Sequence, residues 1–525
     1  MPLALLSGVL LALSFPKFGH PAVAWLALTP LTVAVVRGPL STRRAFALGW
    51  VAGAVCFTGT LYWLVETMTT FGGLSTPLAV VAAGLLVAYL SLFPAAYGAV
   101  LSRCAGAFGQ RALALAPALW VATELGRQYV WDGFPWTLLG YSQVTVLPIA
   151  QIASVVGVYG LSGLLAAAGA AAAYVALAAG PRRWVVAVAV AAAVAACAAW
   201  GAWRLREGSL LAAGDPVRVA VLQGNILQKD KEAAYLGDHA LAAEIMRRYL
   251  VMTRRAIDDG ATFIIWPESS TPFFFERDLA WGGTIRRVAQ ESGATLLIGS
   301  DQVEPVKTAA PAGPPQVRLY NAAFLVKPDG SVGAIYRKMH LVPFGEYVPL
   351  EDLLFFVAPI VEAVSSFSPG TDPVLLPVGA HIASTAICYE VIFPSLIRRF
   401  VNDGSELLTT ITNDAWYGWS SAAYQHWEQA SMRAIENGRF LARAANTGIS
   451  GFVDPYGRVV AKAALFEPAM LVRDLRFIRV RTIYSRIGDL IAWLSLAVTI
   501  AAVLASWRAS GGRPGSGRIA GKAGR

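Results

Sequence analysis

Charged side chains are scarce in this chain of 525 residues: Asp, Glu, Lys and Arg make up 14% of it, whereas 56% is hydrophobic. Soluble domains average about 25% charged and about 45–50% apolar residues. The deficit is uneven, because residues 1–200 contain only 12 of the 76 charged side chains. This composition excludes an ordinary water-soluble globule and indicates a chain whose first part lies in lipid and whose second part lies in water.

Cysteine is also scarce, with four residues in the whole chain: Cys56, Cys104, Cys197 and Cys388. The first three fall in strongly apolar segments, and no pair has the spacing of metal ligands. This distribution argues against a disulfide framework and a zinc site, and we predict no metal and no other cofactor. Cys388 is the single thiol of the polar region and needs an explanation of its own.

The formal net charge of +10 does not indicate a nucleic-acid partner. About +6 of it lies in residues 1–200 and +5 in the tail after Trp507, which leaves −1 for the polar region between them. A domain that binds nucleic acid needs a basic surface. We therefore expect that the protein binds no nucleic acid.

Long apolar runs dominate the first 200 residues. A bilayer core of about 30 Å requires roughly 20 mostly apolar residues per helix. Eight runs approach that length, at 3–15, 22–36, 45–65, 77–102, 112–126, 151–179, 184–203 and 488–507. We predict a polytopic α-helical membrane protein of about eight spans, with a membrane domain of about seven helices over 1–204 and a C-terminal membrane helix.

Basic residues in the short loops predict the orientation, because Lys and Arg favour the cytoplasmic side. Arginines lie in three alternate loops, at 37–44, 103–111 and 182–183, and basic residues fill the tail 508–525. With eight spans, all four segments share the cytoplasmic face and the polar region lies outside. Five arginines at 473–486 oppose this assignment, but large domains translocate largely regardless of charge.

The polar region has the pattern of an α/β domain, which we place at 217–476. Short β-rich runs alternate with longer amphipathic stretches. The runs are 217–224, 262–266, 295–300, 321–327, 383–388, 407–412 and 449–453. Helical spacing is present at 236–258 and 421–444, and turn residues at 328–330 and 454–457 indicate hairpins.

Three side chains in this region suggest chemistry when they are taken together. Glu268 follows one apolar strand, Cys388 ends another, and Lys338 lies in a short basic turn. Taken singly, each is better explained as a cap, a buried small side chain or a solvated cation. Together they supply what an attacking thiol needs: a carboxylate to accept its proton and a cation to stabilise the thiolate and the oxyanion.

Histidine is the alternative proton acceptor, because it is the usual partner of a catalytic cysteine. The polar region contains His239, His340, His381 and His426. None lies at a strand end as Glu268 does, although His340 is only two residues past Lys338. The spacing of the residues therefore leaves His340 open as an alternative proton acceptor.

Three motifs resemble the catalytic motifs of the nitrilase, or carbon–nitrogen hydrolase, superfamily. They are 266–269 (WPES), the block 336–349 (YRKMHLVPFGEYVP) and 387–390 (ICYE), with further matches at 320–321, 412–418, 436–439 and 446–450. Their order, and the position of the polar domain before the last span, are most similar to the family of bacterial apolipoprotein N-acyltransferases. The resemblance covers essentially the whole chain.

The resemblance implies an αββα sandwich on the periplasmic side of the bacterial inner membrane. Position by position, it makes Cys388 the nucleophile, Glu268 the general base and Lys338 the cation that stabilises the tetrahedral intermediate. The supporting positions that it implies are Asn321, Glu346, Tyr389 and Glu390.

The resemblance also implies a ping-pong reaction that ends lipoprotein maturation. The donor is the sn-1 ester of a phospholipid, typically phosphatidylethanolamine, and the acyl group passes through a thioester. The acceptor is the α-amino group of the diacylglyceryl-cysteine of an apolipoprotein.

Apolar loops favour a lipid substrate and contact with the bilayer. Such loops lie at 131–136, 272–275, 353–361 and 416–419. We expect Trp416, Tyr417 and Phe356 to contact substrate and 351–367 to act as a mobile lid. Packing in the core is an equally good explanation of the loops 272–275, 353–361 and 416–419, and an interfacial aromatic anchor explains 131–136 as well.

Two other functions compete with acyl transfer to an amine. A membrane-anchored amidase or nitrilase would use the same Glu268, Lys338 and Cys388 and release the acyl group to water. A transporter with a degenerate enzyme domain would need charges inside the spans and a damaged site, whereas the spans are nearly free of charge and all three catalytic residue types are present. We favour the acyltransferase because the spans and the apolar loops suit a lipid donor.

Overall fold

In the part of the chain that the structure describes, ten α-helices precede the α/β domain. The computed structural model describes residues 1–38, 40–305, 317–343, 345–347 and 367–511. The helices are α1 Pro2–Ala12, α2 Ala24–Ala27, α3 Thr29–Val36, α4 Thr42–Leu61, α5 Trp63–Thr70, α6 Thr76–Phe108, α7 Ala116–Tyr129, α8 Leu147–Ala150, α9 Ala153–Leu177 and α10 Arg182–Glu207.

Five helical segments in the described part of the chain are long and apolar enough to cross a membrane. They are Thr42–Leu61, Thr76–Tyr129, Ala153–Leu177, Arg182–Leu211 and Leu490–Ala509. The predicted total of about eight spans is therefore not confirmed. Thr76–Tyr129 includes two predicted spans, and the first two predicted spans are shorter apolar helices. The 11 residues of α1 extend only about 17 Å, which is less than a bilayer core.

Glycines set the close approach of α4 and α6. A Cβ added at Gly49 would lie 2.2 Å from the carbonyl oxygen of Pro94, and one added at Gly98 would lie 2.6 Å from that of Ala45. Lipid tails are as apolar as side chains, so membrane helices associate through close packing rather than through the hydrophobic effect. These glycines thereby fix the position of α5, which follows α4 and reaches the α/β domain.

The α/β domain contains two six-stranded sheets, ordered β12-β1-β2-β3-β4-β5 and β11-β10-β9-β8-β7-β6. The strands are β1 Asp215–Gln223, β2 Phe263–Ile265, β3 Thr295–Pro305, β4 Val317–Val326, β5 Val332–Arg337, β6 Leu376–Val378, β7 His381–Ile387, β8 Leu407–Thr412, β9 Leu441–Ala445, β10 Gly451–Val453, β11 Val459–Lys462 and β12 Ala469–Phe477. The helices are α11 Gln228–Tyr235, α12 His239–Asp258, α13 Leu279–Ser292, α14 Pro394–Asn402 and α15 Ala422–Asn437, followed by α16 Ile483–Ile487 and α17 Leu490–Gly511.

Alternation of side chains along the strands builds the sandwich. On β1, Val219 and Val221 belong to the core between the sheets, whereas Ala220 and Leu222 pack with α12 and α13. Successive residues of a strand point to opposite faces, so each apolar strand buries both of its faces. The predicted αββα sandwich is confirmed.

The sequence prediction of the strands was incomplete. All seven predicted strands exist, but β5, β6, β9, β11 and β12 were not predicted, and the predicted helix 421–444 is wrong beyond Asn437. There α15 ends, Gly438 adopts φ 62°, and β9 begins at Leu441. A charged residue inside β9, Arg443, hides the strand pattern. Its burial is possible because Arg443 Nη2 lies 2.8 Å from the Asp414 carboxylate.

A break in α9 joins the membrane region to the α/β domain. Gly157 (φ 67°, ψ 179°) interrupts the helix, and the freed N–H of Val158 donates to Glu436 Oε1 of α15 at 2.9 Å. Glu436 Oε2 lies 3.0 Å from Arg433 Nε. A Cβ at Gly157 would lie 2.5 Å from the ring of Tyr484. Only glycine fits this backbone conformation and this space.

We therefore expect Gly157→Ala to destabilise the full-length protein by about 1–3 kcal/mol, because it combines backbone strain with a clash. Thermal unfolding in one detergent would measure the loss. Gly84→Ala is the control, since nothing lies within 4 Å of a Cβ at that helical position. An equal unfolding midpoint for both variants would contradict the assigned role of Gly157.

Candidate active site

The ends of three strands place Cys388, Glu268 and Lys338 in one buried site. Cys388 directly follows β7, Lys338 directly follows β5, and Glu268 lies three residues after β2. Lys338 Nζ lies 3.4 Å from Glu268 Oε1, and both charges act on the Cys388 thiol. The exposed fraction of these residues is 6% for Cys388, 6% for Glu268 and 1% for Lys338. The structure therefore brings together the three side chains that the sequence singled out.

Lys338 keeps its charge because two carboxylates surround it. Its Nζ lies 2.8 Å from Glu346 Oε1 and 3.4 Å from Glu268 Oε1. Burial opposes the ammonium charge, but the Glu346 and Glu268 carboxylates outweigh burial and raise the pKa of Lys338 above its ordinary value. The site thus contains a permanent cation beside the thiol.

Hydrogen bonds fix both oxygens of the Glu268 carboxylate. Asn321 Nδ2 donates to Oε1 at 2.7 Å, and the backbone N–H of Asn413 donates to Oε2 at 2.7 Å. Asn321 Nδ2 also donates to Glu346 Oε1 at 2.9 Å. The amide of Asn321 therefore bridges the two carboxylates that share Lys338, which accounts for its predicted supporting position.

Glu390 connects the end of β7, which precedes Cys388, to the turn that contains Lys338. Its Oε2 accepts the N–H of Ile387 at 2.7 Å, and its Oε1 accepts the N–H of Met339 at 2.6 Å. Burial raises the pKa of Glu390 to about 7, although these hydrogen bonds act in the opposite direction. Ile387 precedes Cys388 and Met339 follows Lys338, so Glu390 sets the distance between the two reactive groups.

The Cys388 thiol is protonated near neutral pH. Burial and the negative charge of Glu268 raise its pKa to about 12, and Lys338 lowers it only in part. Cys388 also has φ 52°, a left-handed conformation that non-glycine residues adopt at strained sites. A thiol in this state needs a base at the moment of attack, and Glu268 is the ionisable acceptor beside it.

Of the four histidines of the polar region, all of which the structure describes, His426 is the one that contacts Cys388, and the sequence had left His340 open instead. Its Nε2 lies 3.1 Å from the carbonyl oxygen of Cys388, not from the thiol. His340 stacks on Phe393, His381 contacts Glu406, and His239 is exposed. Sequence reasoning missed this contact, because a hydrogen bond to a main-chain oxygen leaves no motif.

A loop of the membrane region forms one wall of the site. The hydroxyl of Tyr389 donates to the carbonyl oxygen of Gly133 at 2.9 Å, and Trp136 Nε1 donates to Gln425 Oε1 at 2.7 Å. The ring of Phe134 lies 6.2 Å from that of Tyr389. The loop 131–136 thus contacts Tyr389, the residue that follows Cys388 in the chain.

Comparison with known proteins agrees with this architecture. The family described as "Apolipoprotein N-acyltransferase N-terminal domain" matches residues 7–171, and the family "Carbon-nitrogen hydrolase" matches 218–484. An apolipoprotein N-acyltransferase of Geobacter metallireducens is 38% identical over 97% of this chain and 95% of its own length. One of Methylococcus capsulatus is 33% identical over 93% and 92%. The chain belongs to the apolipoprotein N-acyltransferase family.

Among solved structures, this N-acyltransferase is similar to an amidase from Nesterenkonia sp. The likeness covers 50% of this chain and 91% of the amidase, with 24% identity and a TM-score of 0.35. 

Two further aromatic residues of this family member line the junction of its domains. The carbonyl oxygen of Trp416 accepts the hydroxyl of Thr67 at 2.8 Å, and the ring of Tyr417 lies 5.1 Å from that of Trp63. Both partners belong to α5. Tyr417 also lies close enough to Cys388 for the two groups to influence each other's ionisation. Contact of Trp416 and Tyr417 with substrate stays a prediction.

Phe356 and the predicted lid, apart from its last residue Phe367, lie outside the described residues, as does the basic tail beyond 511. Within the described ranges, no group of three or more His, Cys, Asp or Glu side chains could hold a metal ion.

The pKa of Cys388 predicts its behaviour in an alkaline titration of this N-acyltransferase. Since an adjacent anion disfavours the thiolate, Glu268→Gln should ionise the thiol at lower pH than the wild type, and yet slow acylation about 10²–10⁴-fold through loss of the base. Thiolate absorbance, taken as the difference from Cys388→Ser, measures the first effect. A thiolate present in the wild type at neutral pH would contradict the assignment.

Proposed function

We propose that this N-acyltransferase moves a fatty acyl chain from the sn-1 position of a phospholipid, through a thioester on Cys388, to the α-amino group of a diacylglyceryl-cysteine. The named relatives support an apolipoprotein as the acceptor. One observation carries the proposal: the acyl-transfer groups Glu268, Lys338 and Cys388 share a site with aromatic walls that come from the membrane region.

The first half-reaction forms the thioester. Glu268 accepts the proton of Cys388 Sγ as the sulfur attacks the ester carbonyl, because the thiol does not ionise by itself near neutral pH. The carbonyl oxygen becomes an oxyanion, and the Lys338 ammonium stabilises it in a site from which water is excluded. The intermediate collapses when the C–O bond breaks, and Glu268 returns the proton to the leaving glycerol oxygen. The products are a lysophospholipid and acyl-Cys388.

The second half-reaction forms the amide. The neutral α-amine of the acceptor attacks the thioester carbonyl, Lys338 again stabilises the oxyanion, and Glu268 accepts a proton from the nitrogen. The C–S bond then breaks, and the leaving sulfur of Cys388 recovers the proton from Glu268. A thioester reacts with an amine more easily than an ester does, so the intermediate makes the transfer feasible.

The walls of the site favour a lipid donor over the small substrate of a soluble amidase. Gly133, Trp136 and Thr67 all belong to the membrane region, and each is hydrogen-bonded to a residue of the α/β domain. An acyl chain would leave the bilayer along apolar surfaces and reach Cys388 without crossing water. The same surfaces keep water from the thioester, which disfavours the competing hydrolase.

We further propose that the protein lies in the bacterial inner membrane with its α/β domain on the periplasmic side. Three hydrogen bonds group the arginine-bearing ends of the helices on one side: Ser102 to Leu40, Gln110 to Leu177, and Arg103 to Ser506. The opposite helix ends contact the α/β domain, as in the bonds Thr67 to Trp416 and Gln151 to Tyr456. The positive-inside rule then supports a cytoplasmic arginine side.

Intact mass spectrometry tests the reaction directly. After incubation with phosphatidylethanolamine, the purified protein should gain one fatty acyl group, Cys388→Ser should gain none, and a diacylglyceryl peptide should remove the adduct and become N-acylated. Cys197→Ser is the matched control, because that thiol lies on a membrane helix and should leave the adduct intact. Loss of the adduct as free fatty acid at the same rate with and without peptide would favour the hydrolase.

Thiol labelling of intact cells tests the orientation. In a chain without its native cysteines, a membrane-impermeant reagent should label Leu236→Cys, because Leu236 is 89% exposed on the α/β domain. Arg182→Cys, on the arginine side, should react only after the membrane is permeabilised. Labelling of the two variants in the reverse pattern would refute a periplasmic domain.

A further inference from the structure

We propose that His426 is a positioning residue that holds the backbone of the nucleophile and connects it to the wall from the membrane region. His426 lies in the first turns of α15 and is fully buried. Its Nε2 lies 3.1 Å from the carbonyl oxygen of Cys388, and its Nδ1 lies 2.9 Å from Arg443 Nη2. This role rests on Cys388 as nucleophile, whichever lipid is the donor.

The partners of His426 determine its tautomer. A carbonyl oxygen only accepts hydrogen bonds, so Nε2 must carry the proton that points to Cys388. Arg443 only donates, so Nδ1 must offer a lone pair to its guanidinium. Asp414 lies 3.2 Å from Nδ1, but Arg443 Nη2 bridges the two acceptors, at 2.8 Å from the Asp414 carboxylate. His426 is therefore a neutral imidazole with its proton on Nε2, and it does not serve as the base for the thiol.

The surroundings of His426 favour this neutral form. Burial and the positive charge of Arg443 lower the pKa of His426, whereas Asp414 and the Cys388 carbonyl act in the opposite direction and are outweighed. The remaining ionisable group against the ring is Tyr417, whose ring centre lies 5.9 Å away. The imidazole is thus a fixed hydrogen-bond donor within a closed group of buried side chains.

The donated hydrogen bond matters because the backbone of Cys388 is strained. A non-glycine residue at φ 52° is strained and persists only where its surroundings hold it. Glu390 holds the peptide between Ala386 and Ile387 through the N–H of Ile387, and His426 holds the peptide that follows Cys388. Without the hydrogen bond from His426, the sulfur would shift relative to Glu268 and Lys338. A displacement of about 1 Å can cost about 10²-fold in rate.

The same turn of α15 also contacts the membrane region. The ring of Trp136 lies 5.5 Å from that of His426, and Trp136 Nε1 donates to the neighbouring Gln425 at 2.7 Å. Gln425 Nε2 in turn donates to the carbonyl oxygen of Thr60 at 3.2 Å. Two adjacent residues therefore connect α4 and the loop 131–136 to the nucleophile, so the position of the membrane wall influences the position of the sulfur.

Two substitutions separate the hydrogen bond from mere occupation of space. His426→Gln places an amide N–H near the position of Nε2 and should retain acylation within about 10-fold of the wild type. His426→Leu fills similar space without a donor and should lower kcat for acyl-enzyme formation about 10²-fold with little change in KM. His239→Gln, at an exposed histidine, is the control and should behave as the wild type. Equal activity of the Gln and Leu variants, or a loss confined to KM, would overturn the proposal.

A spectroscopic signature tests the proposal independently of activity. Nitrogen NMR of histidine-labelled protein should show that the His426 imidazole, identified by the loss of its signals in His426→Gln, keeps its proton on Nε2 and stays neutral as the pH falls below the ordinary histidine range. A proton on Nδ1, or an imidazolium, would overturn the assignment. The result does not depend on the acyl donor, so failure of the mass experiment with a confirmed tautomer would refute the proposed function and leave the geometry intact.

Discussion

The buried ion cluster around Lys338 is the interaction on which the site depends. An ammonium without partners would lose its proton in the interior, and two carboxylates without a cation could not both stay charged. Glu268 and Glu346 satisfy Lys338, and Asn321 holds the two carboxylates at a fixed distance from each other. The consequence is a cation and a base that are in place before substrate arrives. The protein therefore needs little reorganisation when negative charge develops on the substrate.

Two parts of the chain complete this site, and neither does so alone. The sandwich supplies the ionic groups, while α5 and the loop 131–136 supply the aromatic walls through bonds to Trp416, Tyr389 and Gln425. The apolar surface of the membrane region replaces solvent on this side of the site, which suits the proposed thioester intermediate.

Much of the site could be predicted from the sequence, because Glu268, Lys338 and Cys388 each stand at a strand end within a recognisable motif. The strand runs indicated an α/β domain, and the resemblance to the nitrilase superfamily implied its αββα sandwich. His426 and the backbone of Asn413 could not be predicted, since their roles depend on hydrogen bonds between elements distant in the chain. The sequence did not predict strand β9, because the strand contains the charged Arg443. The burial of Arg443 depends on the carboxylate of Asp414, which lies 29 residues away in the chain. The predicted total of about eight spans is not confirmed, since hydropathy does not reveal where an apolar helix stops and the first two predicted spans are shorter apolar helices.

The break of α9 at Gly157 has a consequence for how the protein is made. The N–H of Val158 is satisfied by Glu436, which leaves the ribosome long after α9 has been synthesised. An unpaired N–H inside a bilayer costs several kcal/mol. Until the sandwich folds, α9 must pair this group with water or shift in depth. Insertion of the membrane region and folding of the α/β domain are therefore coupled, because α9 reaches its final hydrogen bonding only when α15 of the α/β domain has folded against it.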